Sequence, residues 1–209
     1  MRKIIVAAVL LFGTVGYAQK PDALWKDLTA GNTRYVEGHL DYCALQQLRN
    51  ATAGGQSPPT SVLSCADSRV PAELIFDRSI GELFVVRVAG NVDDTFGVAS
   101  LQYAVLNRWT KMIVVLGHSD CGAVKAAWKA PAADEPAATA DEDELTPELQ
   151  KLILRIQESF KIPPRDLREA TIMNINYTAE QLAMSPKLKG VPIVKAYYDV
   201  QTGKVERIP

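Results

Sequence analysis

The stretch Met112-Ile113-Val114-Val115-Leu116-Gly117-His118-Ser119-Asp120-Cys121-Gly122 decides how this chain is read. Its first five residues are uniformly apolar, with no alternation to mark a wet face. Such a run describes a strand covered on both sides, which belongs in a parallel sheet sandwiched by helices. Polar residues end the run, and Gly122 to Lys129 then has helical character. Working outward, Thr60 to Ser64 and Leu83 to Val88 are similar short apolar runs, and Thr171 to Ile175 is read as a fourth. Helical segments at Val98 to Trp109 and Pro147 to Phe160 lie between them. Strand–helix alternation predicts an α/β fold with a central, mostly parallel sheet of about four strands flanked by helices. Ile193 to Ile208, turning at Gln201-Thr202-Gly203-Lys204, reads as a C-terminal edge strand or hairpin.

Ahead of the first strand, Leu24, Trp25, Leu28, Tyr35 and Val36 recur at near-helical spacing from Asp22 to Glu37, with Asp22 placed to cap and Gly31 interrupting. A second helix is expected from Tyr42 to Ala53, broken by Gly54, Gly55, Pro58 and Pro59. Pro131 to Glu144, rich in Ala, Pro, Asp and Glu, reads as a solvated surface loop. No internal repeat is visible. The 209 residues suit one domain with a sizeable core, and 47% hydrophobic and 22% charged residues are ordinary for a globular chain. A net charge of −1 gives no reason to expect nucleic acid.

The first eighteen residues belong to another category. Arg2 and Lys3 precede an apolar run from Ile4 to Val15, and Gly16-Tyr17-Ala18 puts small residues three and one positions before a cut ahead of Gln19. This is the layout of a secretory signal peptide, and the run is short for a membrane span. Its removal takes away two positive charges, moving the net charge from −1 to −3. Residues 19–209 then form a single domain, periplasmic or secreted, with no membrane segment. An exported domain held by disulfides usually has an even number of cysteines. Here there are three, and Cys43 reads as a partly buried free thiol.

Cys65 ends the first strand, His118 follows the third, and Cys121 lies three residues further on, where a helix begins. Ligand sites in open parallel sheets collect beyond the carboxyl ends of the strands, so the three converge. Two thiolates and an imidazole suit Zn²⁺ better than Mg²⁺ or Ca²⁺, and three protein ligands leave a fourth position open, as in catalytic zinc sites. Each residue alone is an ordinary core or polar residue, and spacing alone leaves the metal and the bland reading evenly balanced. Asp67 and Arg69, beside Cys65, have the spacing for a bidentate ion pair. That pair reads either as a surface contact or as an arginine orienting a carboxylate next to the metal.

Cys65-Ala66-Asp67-Ser68-Arg69-Val70-Pro71-Ala72-Glu73 and His118-Ser119-Asp120-Cys121-Gly122 resemble the two metal motifs of the β-class carbonic anhydrases. The likeness continues through Gly31-Asn32, Arg34-Tyr35, Val86-Arg87, Ala89-Gly90-Asn91, Tyr103-Ala104-Val105-Leu106, Asp199, Thr202-Gly203 and Val205. The resemblance implies one Zn²⁺ per subunit on Cys65, His118 and Cys121, with Asp67 and Arg69 as the catalytic dyad. It further implies bicarbonate binding by Gln56, a substrate pocket lined by Phe84, Tyr103 and the Gly122 backbone, and homodimers or dimer-based tetramers with the site near the interface. Val62 stands where another bacterial subgroup has a tryptophan of an inhibitory bicarbonate site, so the plant-like, non-allosteric subgroup is favoured. Lys195 departs from a frequent glycine without clear consequence. The implied reaction is reversible hydration of CO₂ to bicarbonate by hydroxide generated at zinc. A carbon disulfide hydrolase on the same scaffold and a non-catalytic zinc-binding protein stay open as rivals.

Overall fold

The computed structural model of the chain describes residues 20–41, 45–130 and 146–209. The leader, Cys43 and the acidic loop lie outside them. The elements follow in the order α1 (Pro21–Glu37), α2 (Leu45–Thr52), β1 (Thr60–Ser64), α3 (Ala72–Ile75), β2 (Leu83–Arg87), α4 (Thr95–Leu106), β3 (Met112–His118), α5 (Gly122–Lys129), α6 (Pro147–Gln157), α7 (Leu167–Met184), β4 (Ile193–Tyr198) and β5 (Val205–Arg207). A short 3-10 turn, Ala89–Asn91, separates β2 from α4. The five strands make one sheet in the order β2-β1-β3-β4-β5. All neighbours are parallel except β4 and β5, which form the expected C-terminal hairpin.

The apolar run at 112–116 is explained by burial on both faces. Met112, Val114 and Leu116 pack with Leu24 and Leu28 of α1 and Ala72 and Ile75 of α3. Ile113 and Val115 face the other way, against Leu101 of α4 and Ile175, Ala179 and Leu182 of α7. Gly31 does not interrupt α1. It admits the Phe76 carbonyl, whose oxygen would lie only 1.9 Å from an added Cβ. Asp22 lies within the first turn of α1, and Lys20 occupies the N-cap position without a side-chain bond.

One expectation fails. Thr171–Ile175 is not a strand but part of α7, which Asp166 caps by accepting from the Glu169 N–H. Ala170, Thr171, Asn174, Ile175, Thr178, Ala179 and Leu182 are the buried positions, a helical period that a five-residue window cannot display. The helix lies directly on β3, since a Cβ at Gly117 would come within 2.6 Å of Ile175. The fourth parallel strand is β4, so the sheet has five strands in all.

Candidate metal centre

Cys65 follows β1, His118 ends β3, and Cys121 is the residue from which α5 starts. Adjacent parallel strands therefore bring all three to one edge of the sheet. All three are buried, and their ligand atoms lie within 4.8 Å of one another. The His118 Nδ1 is 2.9 Å from the Ser119 carbonyl oxygen. A carbonyl can only accept, so Nδ1 carries the proton and Nε2 presents its lone pair. That Nε2 is buried with no hydrogen-bond partner among the described residues. An imidazole fixed through one nitrogen and bare at the other is the arrangement of a metal-binding histidine.

The two sulfurs are 3.9 Å apart. The hydrogen bond from Cys121 holds Cys65 as a thiolate, at about 4, against the opposing effect of burial, and the backbone N–H groups of Asp67 and Gly90 assist. Those N–H groups donate to the Cys65 sulfur at 3.4 and 3.3 Å. The same contact, together with burial, pushes the Cys121 thiol up. A soft dication bound by both sulfurs displaces that remaining proton. The donor set, its burial and the bare imidazole nitrogen together fit zinc.

Asp67 and Arg69 form the expected bidentate pair. The Arg69 Nε and Nη2 donate to Oδ1 and Oδ2 at 3.0 and 2.8 Å, and its backbone N–H adds a bond to Oδ1 at 2.9 Å. Arg69 hydrogen bonding holds the Asp67 carboxyl at about 2, below the usual carboxylate range. Arg69 also donates to the carbonyl of Asp120, whose backbone is left-handed at φ 53°, tying the two motifs together. Arg87, part of the Val86-Arg87 likeness but without a role there, donates to the carbonyls of Cys65 and Asp67 at 3.1 and 2.5 Å. That likeness and a charge closing an otherwise apolar strand were its signals.

The four expected pocket residues divide. Gly122 adjoins the cluster as the first residue of α5, exposed and with open space around it. Phe84 pairs in register with Ser61, four residues before Cys65, which is about 13 Å back along the sheet at the usual rise per residue. Tyr103 is 55% exposed on α4 and meets the Trp109 ring edge-on at 5.4 Å, while Phe84 lies 6.4 Å from the same ring. Gln56 is exposed in the loop leading into the amino end of β1. Within one chain these three lie toward the end of the sheet opposite the cysteines.

A buried strand-end Cys₂His cluster beside an arginine-held aspartate, on a parallel sheet closed by an antiparallel hairpin, is a site whose donors fit zinc. A family profile described as carbonic anhydrase matches residues 60–205, and the chain belongs to that family. It is 47% identical over 108 residues to carbonic anhydrase 2 of Mycobacterium tuberculosis, and 45% identical over 91 residues to a carbonic anhydrase of Pseudomonas aeruginosa. The first alignment covers 51% of this chain and 52% of the relative, so the chain spans about half the length of the curated relatives it matches. Its fold is that of the β-carbonic anhydrase CafA of Aspergillus fumigatus (TM-score 0.65, 20% identity, 90% of this chain and 89% of the other). The Coccomyxa β-carbonic anhydrase is alike at the same TM-score of 0.65 and 23% identity, covering 87% and 84%.

Proposed function

We propose that this chain is a zinc-dependent carbonic anhydrase that interconverts CO₂ with bicarbonate and a proton. The observation that carries the reading is the buried Cys65–His118–Cys121 cluster with an ionised, arginine-held Asp67 two residues from its first ligand. Zinc in this site supplies a Lewis acid that brings the ionisation of water to near neutral pH. The chain's own contribution is positional. Asp67 is an acceptor-only carboxylate at working pH, and with zinc bound it would accept a hydrogen bond from the attacking hydroxyl and so orient its lone pair toward the substrate. Arg69 keeps it ionised and, through Asp120, keeps it registered on the second motif. Gly122 presents its backbone beside the ligands.

The aromatic end of the sheet is the substrate half of the pocket, contributed by a second copy. Phe84, Tyr103 and Gln56 are too far along the sheet to serve their own chain's ligands. With Tyr103, Phe96 at 81% and Leu106 at 61% exposure extend an apolar face along the length of α4, suited to a twofold partner. The assembly is therefore a homodimer or a tetramer built from dimers. Gln56 donates to bicarbonate, and the plant-like, non-allosteric subgroup follows from Gln56 and Val62. Residues 1–18 are a signal peptide, leaving 19–209 as one catalytic domain in the periplasm or outside the cell. No described helix is long and apolar enough to cross a membrane.

Stopped-flow CO₂ hydration by the wild type and Cys65→Ala is the test. Metal-dependent turnover in the wild type and none in the variant is expected. An inactive wild type with zinc bound overturns the reading, and carbon disulfide assayed in parallel identifies the rival substrate.

A further inference from the structure

Asn174 occupies an unusual place for its side chain. It lies in the middle of α7 with no exposed surface, on the face that packs against the sheet. Asparagine is a poor residue for a helix interior, and a buried amide costs free energy unless its groups are paired. Leucine or isoleucine fills equivalent positions on this helix, at Leu182 and Ile175. Only one of the two polar atoms of Asn174 is repaid. Its Nδ2 donates to the Gly90 carbonyl at 2.6 Å, whereas Oδ1 has no partner among the described residues. Since Gly90 O can only accept, the amide nitrogen is the atom that must face it.

Gly90 in turn is poised over the metal centre. Its backbone is left-handed, at φ +67°, and a Cβ there would come within 2.9 Å of Ile156. In that conformation its N–H points at the Cys65 sulfur, 3.3 Å away. A second tie reaches the same segment from α6, where Arg155 pairs with Asp93. The 89–93 stretch is thus held from two helices, and the bond from Asn174 is the one on the residue that touches the ligand sulfur.

We infer that Asn174 is a positioning residue for the metal centre: its amide fixes the Gly90 turn so that the Gly90 N–H hydrogen-bonds the Cys65 thiolate. An N–H bond to a thiolate ligand withdraws electron density from sulfur and fixes its orientation. Groups that orient metal ligands in this way change affinity about 10–100-fold when removed. The inference rests on the zinc reading and adds to it a residue with no contact to metal or substrate.

Cadmium-113 in place of zinc supplies the readout, through scalar coupling between the metal and an amide proton bonded to its sulfur ligand. The wild type is expected to show this coupling at the Gly90 amide. Asn174→Leu, which keeps the branched four-atom side chain and carries no polar atom, is expected to lose it while keeping a native circular dichroism spectrum. It should also release zinc to a chelator about 10–100-fold faster. If the leucine variant does not fold, Asn174→Asp keeps the shape, turns an acceptor toward Gly90 O and is expected to behave alike. No coupling in cadmium-loaded wild type, or coupling and zinc release unchanged in a folded variant, overturns the inference. A wild-type chain that takes up neither metal overturns the zinc reading itself, which separates the two failures.

Discussion

At the carboxyl end of β1 and β3, Cys65, His118 and Cys121 are buried; the Ser119 carbonyl accepts from His118, and Asp67, Gly90 and Arg87 donate to Cys65. Toward the amino end, the Phe84 and Tyr103 rings each meet Trp109, and Tyr103 and Leu106 of α4 face outward. The first region is complete within one chain, because every ligand comes from a strand end or a helix start that the same sheet fixes. The second is an apolar surface that no described residue covers. The difference teaches that the metal-ligand cluster is intrinsic to one chain's fold, whereas the aromatic region is an outward-facing surface toward the other end of the sheet.

His118→Ala breaks the self-contained end most severely. It removes the only imidazole of the cluster, so the expected outcome is loss of bound zinc by metal analysis and a fall in kcat/KM of at least about 10³-fold, to background. Asp67→Asn leaves the ligands alone but exchanges an acceptor-only carboxylate for an amide. Zinc content should stay at one per chain while kcat falls about 10²-fold, the scale of a lost proton acceptor.

Mixing sharpens the comparison from the other end. Gln56→Ala and Cys65→Ala are each expected to be impaired alone, yet co-refolded chains form mixed dimers in which one site has both Cys65 and the partner-borne Gln56. Statistical pairing of a twofold dimer predicts recovery of about a quarter of wild-type activity. No recovery, with mixed dimers present by native mass spectrometry, would place the whole pocket in one chain. The smallest effect is expected at Gly117→Ala, where the new methyl meets Ile175 carbons at 2.6 Å. Urea unfolding should show a loss of about 1–3 kcal/mol with the slope unchanged, the cost of overpacking a filled core.

Legibility followed the length of the signal. β3 could be read because burial on both faces writes five apolar residues in a row, and the metal ligands because strand ends and helix starts fix where they lie. The run Thr171–Ile175 looked the same locally, and only its continuation to Leu182 at helical spacing distinguishes it. Gly31 looked like a break in α1, since nothing near it in sequence announces the Phe76 carbonyl that needs the space. Asn174 bonds a backbone carbonyl distant in the chain, a contact that leaves no motif, and Arg87, though part of the family likeness, shows its two carbonyl partners only in the fold.

The sequence by itself determined the α/β class, the donor set and the Asp67–Arg69 pair, because these depend on residue type and on neighbours a few positions away. Tertiary structure decided that β4 rather than 171–175 continues the sheet, that His118 keeps Nε2 bare, and that the aromatic residues lie at the far end from the cysteines. Those depend on strand order and register, which are set by long-range packing rather than by local preference.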